Sequence, residues 1–195
     1  QQAVIQKDAD HIVFCGVHFM AETADILTEH HQRVLLPNLA AGCSMADMAP
    51  TEDVNDCWDD LTEVLGAGLP EILPVTYMNS TAAIKALCGR NGGIVCTSSN
   101  AEQALAWSFA QAERVVFFPD EHLGRNTGIK MGIPLEKMIV WNPFKPLGGH
   151  TPEAIQKAKL ILWQGRCSVH TRFTAAQIEK ARESVPGLNV VVHPE

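Results

Sequence analysis

Almost the whole chain repeats one phrase: a short apolar run, a polar turn, then a helix opened by small or hydroxyl-bearing residues. Runs such as Val115-Val116-Phe117-Phe118 and Leu160-Ile161-Leu162-Trp163 are continuous, whereas a strand wet on one face would alternate. Strands buried on both faces and separated by helices pair in parallel, so the pattern predicts an α/β fold, parallel sheets with helices on both faces. Strands are expected at 11–17, 33–37, 71–77, 92–96, 114–118, 138–141, 160–163 and 189–192, and helices at 19–27, 51–65, 82–87, 101–112, 152–159 and 174–183. Pro37 closes a strand, Pro74 marks an edge or irregular position, and Pro152 follows the cap Thr151 where its missing N–H costs nothing. The strand at 114–118 ends at 119–125, and the region 126–146, rich in Gly and Pro, carries the short strand 138–141. The phrases fall into several small units, not one long sheet: 1–70, 71–159, and a shorter group 160–195.

Composition narrows the function classes. A formal net charge of −7 with no Lys/Arg cluster argues against a nucleic-acid surface. No stretch approaches the roughly 18 apolar residues of a membrane span, and the N-terminus does not read as a signal segment, so a cytoplasmic protein is expected. The six cysteines have no framework spacing and suit a reduced compartment. Cys15, Cys57, Cys88 and Cys96 read as small buried hydrophobes.

Chemistry gathers where strands end. Gly165 lets the backbone turn after 160–163; Cys167 and His170 follow at once, ahead of Thr174 and Gln177, a capped helix start. Cys43 likewise follows a strand and a glycine, near a helix start. That setting lowers a thiol's pKa and suits either a metal ligand or a nucleophile. Cys43 and Cys167 are too far apart in sequence for a local knuckle, so a shared metal would sit between units. Tyr77, the single tyrosine, precedes Asn79 and Ser80 and is either a site residue or a strand end before a cap. The cluster Thr97-Ser98-Ser99-Asn100 opens the next helix, where backbone N–H groups favour an anion. His18, His122, His170 and His193 all fall at strand ends, and Glu195 is a candidate acid or base. Open α/β sheets bind ligands at this carboxyl edge.

The same words resemble a known family. Gly16-Val17-His18-Phe19-Met20-Ala21-Glu22-Thr23-Ala24, Leu36-Pro37-Asn38 with Ala41-Gly42-Cys43-Ser44, and Tyr77-Met78-Asn79-Ser80-Thr81 are similar to quinolinate synthase. So are Thr97-Ser98-Ser99-Asn100-Ala101, Pro119-Asp120 with His122-Leu123-Gly124-Arg125, Trp163-Gln164-Gly165-Arg166-Cys167 with His170, and His193-Pro194-Glu195.

The resemblance implies an enzyme that condenses iminoaspartate with dihydroxyacetone phosphate to quinolinate, on the route to NAD. It implies three-layer α/β/α units around a pseudo-threefold axis, and a [4Fe-4S] cluster held by three cysteines whose open iron acts as a Lewis acid. Carried over by motif, Cys43 and Cys167 are two of those ligands. Tyr77 and Asn79 contact substrate, Ser98, Asn100, His170 and His193 meet carboxylate or phosphate, and Glu195, with Tyr77 and His193, is catalytic. An aspartate-oxidising enzyme that supplies iminoaspartate is an implied partner.

The family's N-terminal strand and loop and its third cysteine have no counterpart here, so the chain reads as a central piece, inactive alone or a weak binder of iron. Two other readings stand beside this one. The chain could be an α/β module that binds a small anion or dicarboxylate without turnover. It could also be a thiol enzyme using Cys167 with His170.

Overall fold

The computed structural model describes residues 2–66 and 71–193. Two parallel sheets form. In the first, β1 (His11–Val13) pairs with β2 (Arg33–Leu35), with α1 (His18–Leu27) as the crossover. Two helices follow, a short α2 (Ser44–Asp47) and α3 (Thr51–Leu65). The latter matches its sequence prediction and opens with Glu52 and Asp53, acids that favour a helix N-terminus. Of the expected break after α3, residues 67–70 lie outside the described residues.

The second sheet has five parallel strands in the order β4-β3-β5-β7-β6. These are β3 (Ile72–Tyr77), β4 (Ile94–Cys96), β5 (Arg114–Phe118), β6 (Met138–Trp141) and β7 (Leu160–Trp163). Between them run α4 (Ala82–Arg90), α5 (Ala101–Phe109), α6 (Glu121–Lys130) and α7 (Pro152–Lys157), and α8 (Ala175–Ser184) follows β7. The central strands β3 and β7 are buried along their whole length, which explains their unbroken apolar runs. Residues on one face, among them Val116, Phe118, Ile161 and Trp163, pack under α3, α4 and α7. Those on the other, Val75, Tyr77, Phe117, Leu160 and Leu162, meet Leu105 of α5, Leu123 of α6, and Met45 of α2.

Four expectations change. β7, read as the opening of a third group, is hydrogen-bonded between β5 and β6 in the sheet of the second. Residues 121–130, expected to lie in a strand end and a Gly- and Pro-rich stretch, form the helix α6, capped by Asp120, whose side chain accepts from the Leu123 N–H. Pro74 is not on an edge strand, yet β3 pairs with β4 only from Val75 onward, so its missing N–H falls before that ladder starts. The strand expected at 189–192 does not form: the backbone there is irregular, and Val191 and Val192 are 93% and 68% exposed.

Candidate functional site at the carboxyl edge

All five strands of the larger sheet run the same way, so their carboxyl ends share one edge. Tyr77 is the last residue of β3, Cys96 the last of β4, and Cys167 follows β7 by a short turn. That turn depends on Gly165. Its N–H donates to the Trp163 carbonyl (2.8 Å), and its own carbonyl accepts from the Glu121 N–H (2.9 Å). A Cβ on it would run into the Pro119 carbonyl oxygen. Only glycine lets the β7 turn lie this close to the β5–α6 turn.

The segments that carry the two candidate ligand thiols come from different sheets and are tied together here. The Ser44 and Ser168 hydroxyls, each next in sequence to a candidate thiol, hydrogen-bond at 2.8 Å. The Trp163 indole N–H, on the last residue of β7, donates to the Met48 carbonyl just past α2 (2.9 Å). Met45 is buried in the apolar cluster that contains Tyr77, and Cys43 and Cys167 both pack against that cluster, each half-buried and free. Two polar ties and one apolar anchor therefore hold the Cys43 segment against the end of β7.

The other predicted residues are distributed around this junction. Tyr77 is buried, and Asn79 is half-buried in the β3–α4 turn. In that turn the Ser80 hydroxyl donates to the Tyr77 carbonyl (2.8 Å), and the Met78 N–H donates to the Cys96 carbonyl (2.8 Å). His170 lies in a short helical turn after Cys167, its ring centroid 5.0 Å from that of His193, which brings those two predicted residues together. Asn100 sits at the N-cap of α5 but does not cap it: its Oδ1 accepts from the Thr97 N–H (2.6 Å) and hydroxyl (3.0 Å), shaping the loop that carries Ser98. Ser98 also lines a cavity of about 330 Å³ between α5 and α6, bounded by Leu123, Thr127 and Lys130, which neither Tyr77 nor the two thiols line. His18 and His122 stand at the starts of α1 and α6. Glu195 lies outside the described residues.

Of the remaining thiols, Cys57, Cys88 and Cys96 are buried as predicted, whereas Cys15 is exposed: at the strand period of two it continues the face of His11 and Val13, which is open in this two-stranded sheet. Burial pushes the Cys57 and Cys88 thiols far above their ordinary value and Cys96 up to about 12, which favours the neutral thiol of a core side chain. Among the described residues, no group of three or more His, Cys, Asp or Glu side chains gathers to hold a metal. By donor chemistry, Cys43 and Cys167 fit two positions of a thiolate-held iron–sulfur centre. Sequence reasoning missed the parts that build the junction, Ser44, Ser168 and the Trp163–Met48 bond. A hydroxyl beside each candidate thiol was the only available signal. No described helix is long and apolar enough to cross a membrane.

A family model described as quinolinate synthetase A protein (NadA) matches residues 1–195. The chain is 58% identical over 193 residues to the quinolinate synthase of Corynebacterium glutamicum, covering 99% of this chain and 48% of that protein. It is 56% identical over 197 residues to the quinolinate synthase of Streptomyces coelicolor, covering 100% of this chain and 49% of that one. Against the Bacillus anthracis quinolinate synthase it is 54% identical over 195 residues, 100% of this chain and 52% of the relative. The chain thus spans about half the length of the curated relatives it matches. The strand-end words that converge on the thiol junction therefore lie inside one unbroken match, and the chain belongs to the quinolinate synthetase A family.

Proposed function

We propose that this chain is part of a cytoplasmic quinolinate synthase that condenses iminoaspartate with dihydroxyacetone phosphate, releasing phosphate and water. In this reading Cys43 and Cys167 are two of three thiolate ligands of a [4Fe-4S] cluster. The observation that carries it is the junction itself, where Ser44 and Ser168, the neighbours of the two thiols, hydrogen-bond beside the apolar cluster that holds Tyr77. When bound, the cluster supplies a Lewis-acidic iron next to the substrate.

The chain's own residues supply the rest. The Tyr77 phenol and the Asn79 amide offer donors to substrate oxygens from one rigid turn. Ser98 presents a hydroxyl at the start of α5, and Asn100 shapes that loop. His170 and His193, adjacent at 5.0 Å, offer ring N–H donors to a carboxylate or phosphate. Loss of water and closure of an aromatic ring both require protons to leave carbon and nitrogen. Glu195 is assigned that acid–base work. An aspartate-oxidising enzyme is the natural source of the short-lived iminoaspartate.

The test is anaerobic reconstitution of the full-length protein with iron and sulfide. Cys43→Ser and Cys167→Ser should each lose most bound iron and quinolinate formation, while residues 1–195 alone should hold iron weakly and make no quinolinate. Retention of iron and turnover by either variant overturns the ligand assignment. Thermal stabilisation by quinolinate without iron, and without turnover in the full-length protein, would favour an anion-binding module instead.

A further inference from the structure

α1 touches both sides of the junction on which the proposed function rests. At one end the His18 backbone N–H donates to the Ala41 carbonyl (2.8 Å), in the loop that leads to Cys43. One turn along, the Glu22 carboxylate accepts from the backbone N–H of Ala82, the first residue of α4 (2.8 Å). Helix N-termini leave such N–H groups without intrahelical partners and favour a negative charge. α4 already has a local cap, because the Thr81 hydroxyl accepts from the Ile84 N–H, though at 3.4 Å. The Glu22 bond, reaching 60 residues along the chain, therefore does something a cap from within α4 does not: it ties α4 to α1.

A second contact reinforces the tie. Lys85 of α4 donates to the Ser80 carbonyl (2.6 Å) and lies 5.5 Å from the ring centroid of Phe19 on α1. Burial lowers the Lys85 ammonium to about 8, and the Glu22 charge opposes that shift. Ser80 is fully buried, and its hydroxyl links the Thr76 hydroxyl (2.9 Å) to the Tyr77 carbonyl (2.8 Å). The turn that carries Tyr77 and Asn79 is thus tied within itself, and Glu22 and Lys85 link the helix that follows it to α1.

We propose that α1 is a strut and Glu22 a positioning residue: its bond to the Ala82 N–H sets the Tyr77–Asn79 turn against the Cys43 loop that the same helix braces through Ala41. The role rests on the proposed function, since it matters for turnover only if Tyr77 and Asn79 meet substrate beside the thiols. Glu22 itself touches no reacting atom.

The experiment compares Glu22→Ala and Glu22→Gln in the full-length reconstituted protein. Loss of one charge-assisted hydrogen bond that holds a substrate-contacting turn should raise KM about fivefold or more in the alanine variant, with kcat changed less and bound iron unchanged. Glutamine keeps an acceptor oxygen for the Ala82 N–H and should return KM to within about twofold of wild type. Hydrogen exchange at the Ala82 amide should quicken in the alanine variant and stay slow in the glutamine one. An unchanged KM in Glu22→Ala, no rescue by glutamine, or iron lost in step with activity overturns the strut. If Glu22→Ala does not fold, Lys85→Met replaces it: a raised KM with iron retained supports the strut, and an unchanged KM overturns it. If the wild-type protein makes no quinolinate, the proposed function fails, and the exchange measurement alone decides the strut.

Discussion

Cys57, Cys88 and Cys96 sit in the packed interior, Cys43 and Cys167 are half-buried at the sheet edge, and Cys15 faces solvent. Thiolate is the reactive form, so a thiol that is buried and pushed to high pKa reacts slowly for two independent reasons. Brief alkylation at neutral pH should therefore label Cys15, Cys43 and Cys167 at least about tenfold faster than the other three. Peptide mass mapping reads this directly, and early labelling of Cys57 or Cys88 would contradict the burial. At this scale much was legible: the three core thiols, the cap Thr151 and the Thr174–Gln177 start of α8, where the Gln177 side chain accepts from the Thr174 N–H (2.8 Å). Cys15 was misread because an apolar run shows that residues are strand-like, not whether a helix covers both faces; Cys15 shares the open face of Val13, which is 62% exposed.

α6 is the element the sequence hid. Gly124 and Gly128 lie one turn apart on the face turned to the sheet, and glycine in a helical window reads as a break. Here glycine permits close approach. A Cβ at Gly124 would come within 2.6 Å of Leu162 and 2.9 Å of the Phe117 ring, both fully buried. At Gly128 the nearest atoms are the flexible tip of Met138, at 2.7 Å, and a methyl of the fully buried Leu160, at 2.9 Å, with no aromatic ring in the way. Gly→Ala gains about 1 kcal/mol of helix propensity, while overpacking a rigid core costs about 1–3 kcal/mol. Gly124→Ala should thus destabilise by up to about 2 kcal/mol, and Gly128→Ala by less, as the shift of a urea midpoint would show.

For the whole molecule, the consequence of the fold is that segments far apart in sequence share one edge. The Ser44–Ser168 and Trp163–Met48 bonds hold the segments of Cys43 and Cys167 side by side. A short bifunctional thiol reagent should therefore join Cys43 to Cys167 within one chain. Ser44→Ala should leave that product largely intact, because the buried Trp163 and Met45 still anchor the segment. Failure to form it while both thiols remain reactive would contradict the junction.

The alternation of buried runs and capped helices was enough to set the fold class, nearly every strand and the residues at the strand ends, because burial on both faces and capping write themselves into local composition. Sheet order was not local. Which strands neighbour β7 depends on where each crossover lands, and that is settled by packing α3, α4 and α7 against one face and α5 and α6 against the other. The meeting of the Cys43 and Cys167 segments belongs to the same category: a hydroxyl pair and an indole bond that close only once both sheets are assembled leave no periodic trace in the chain.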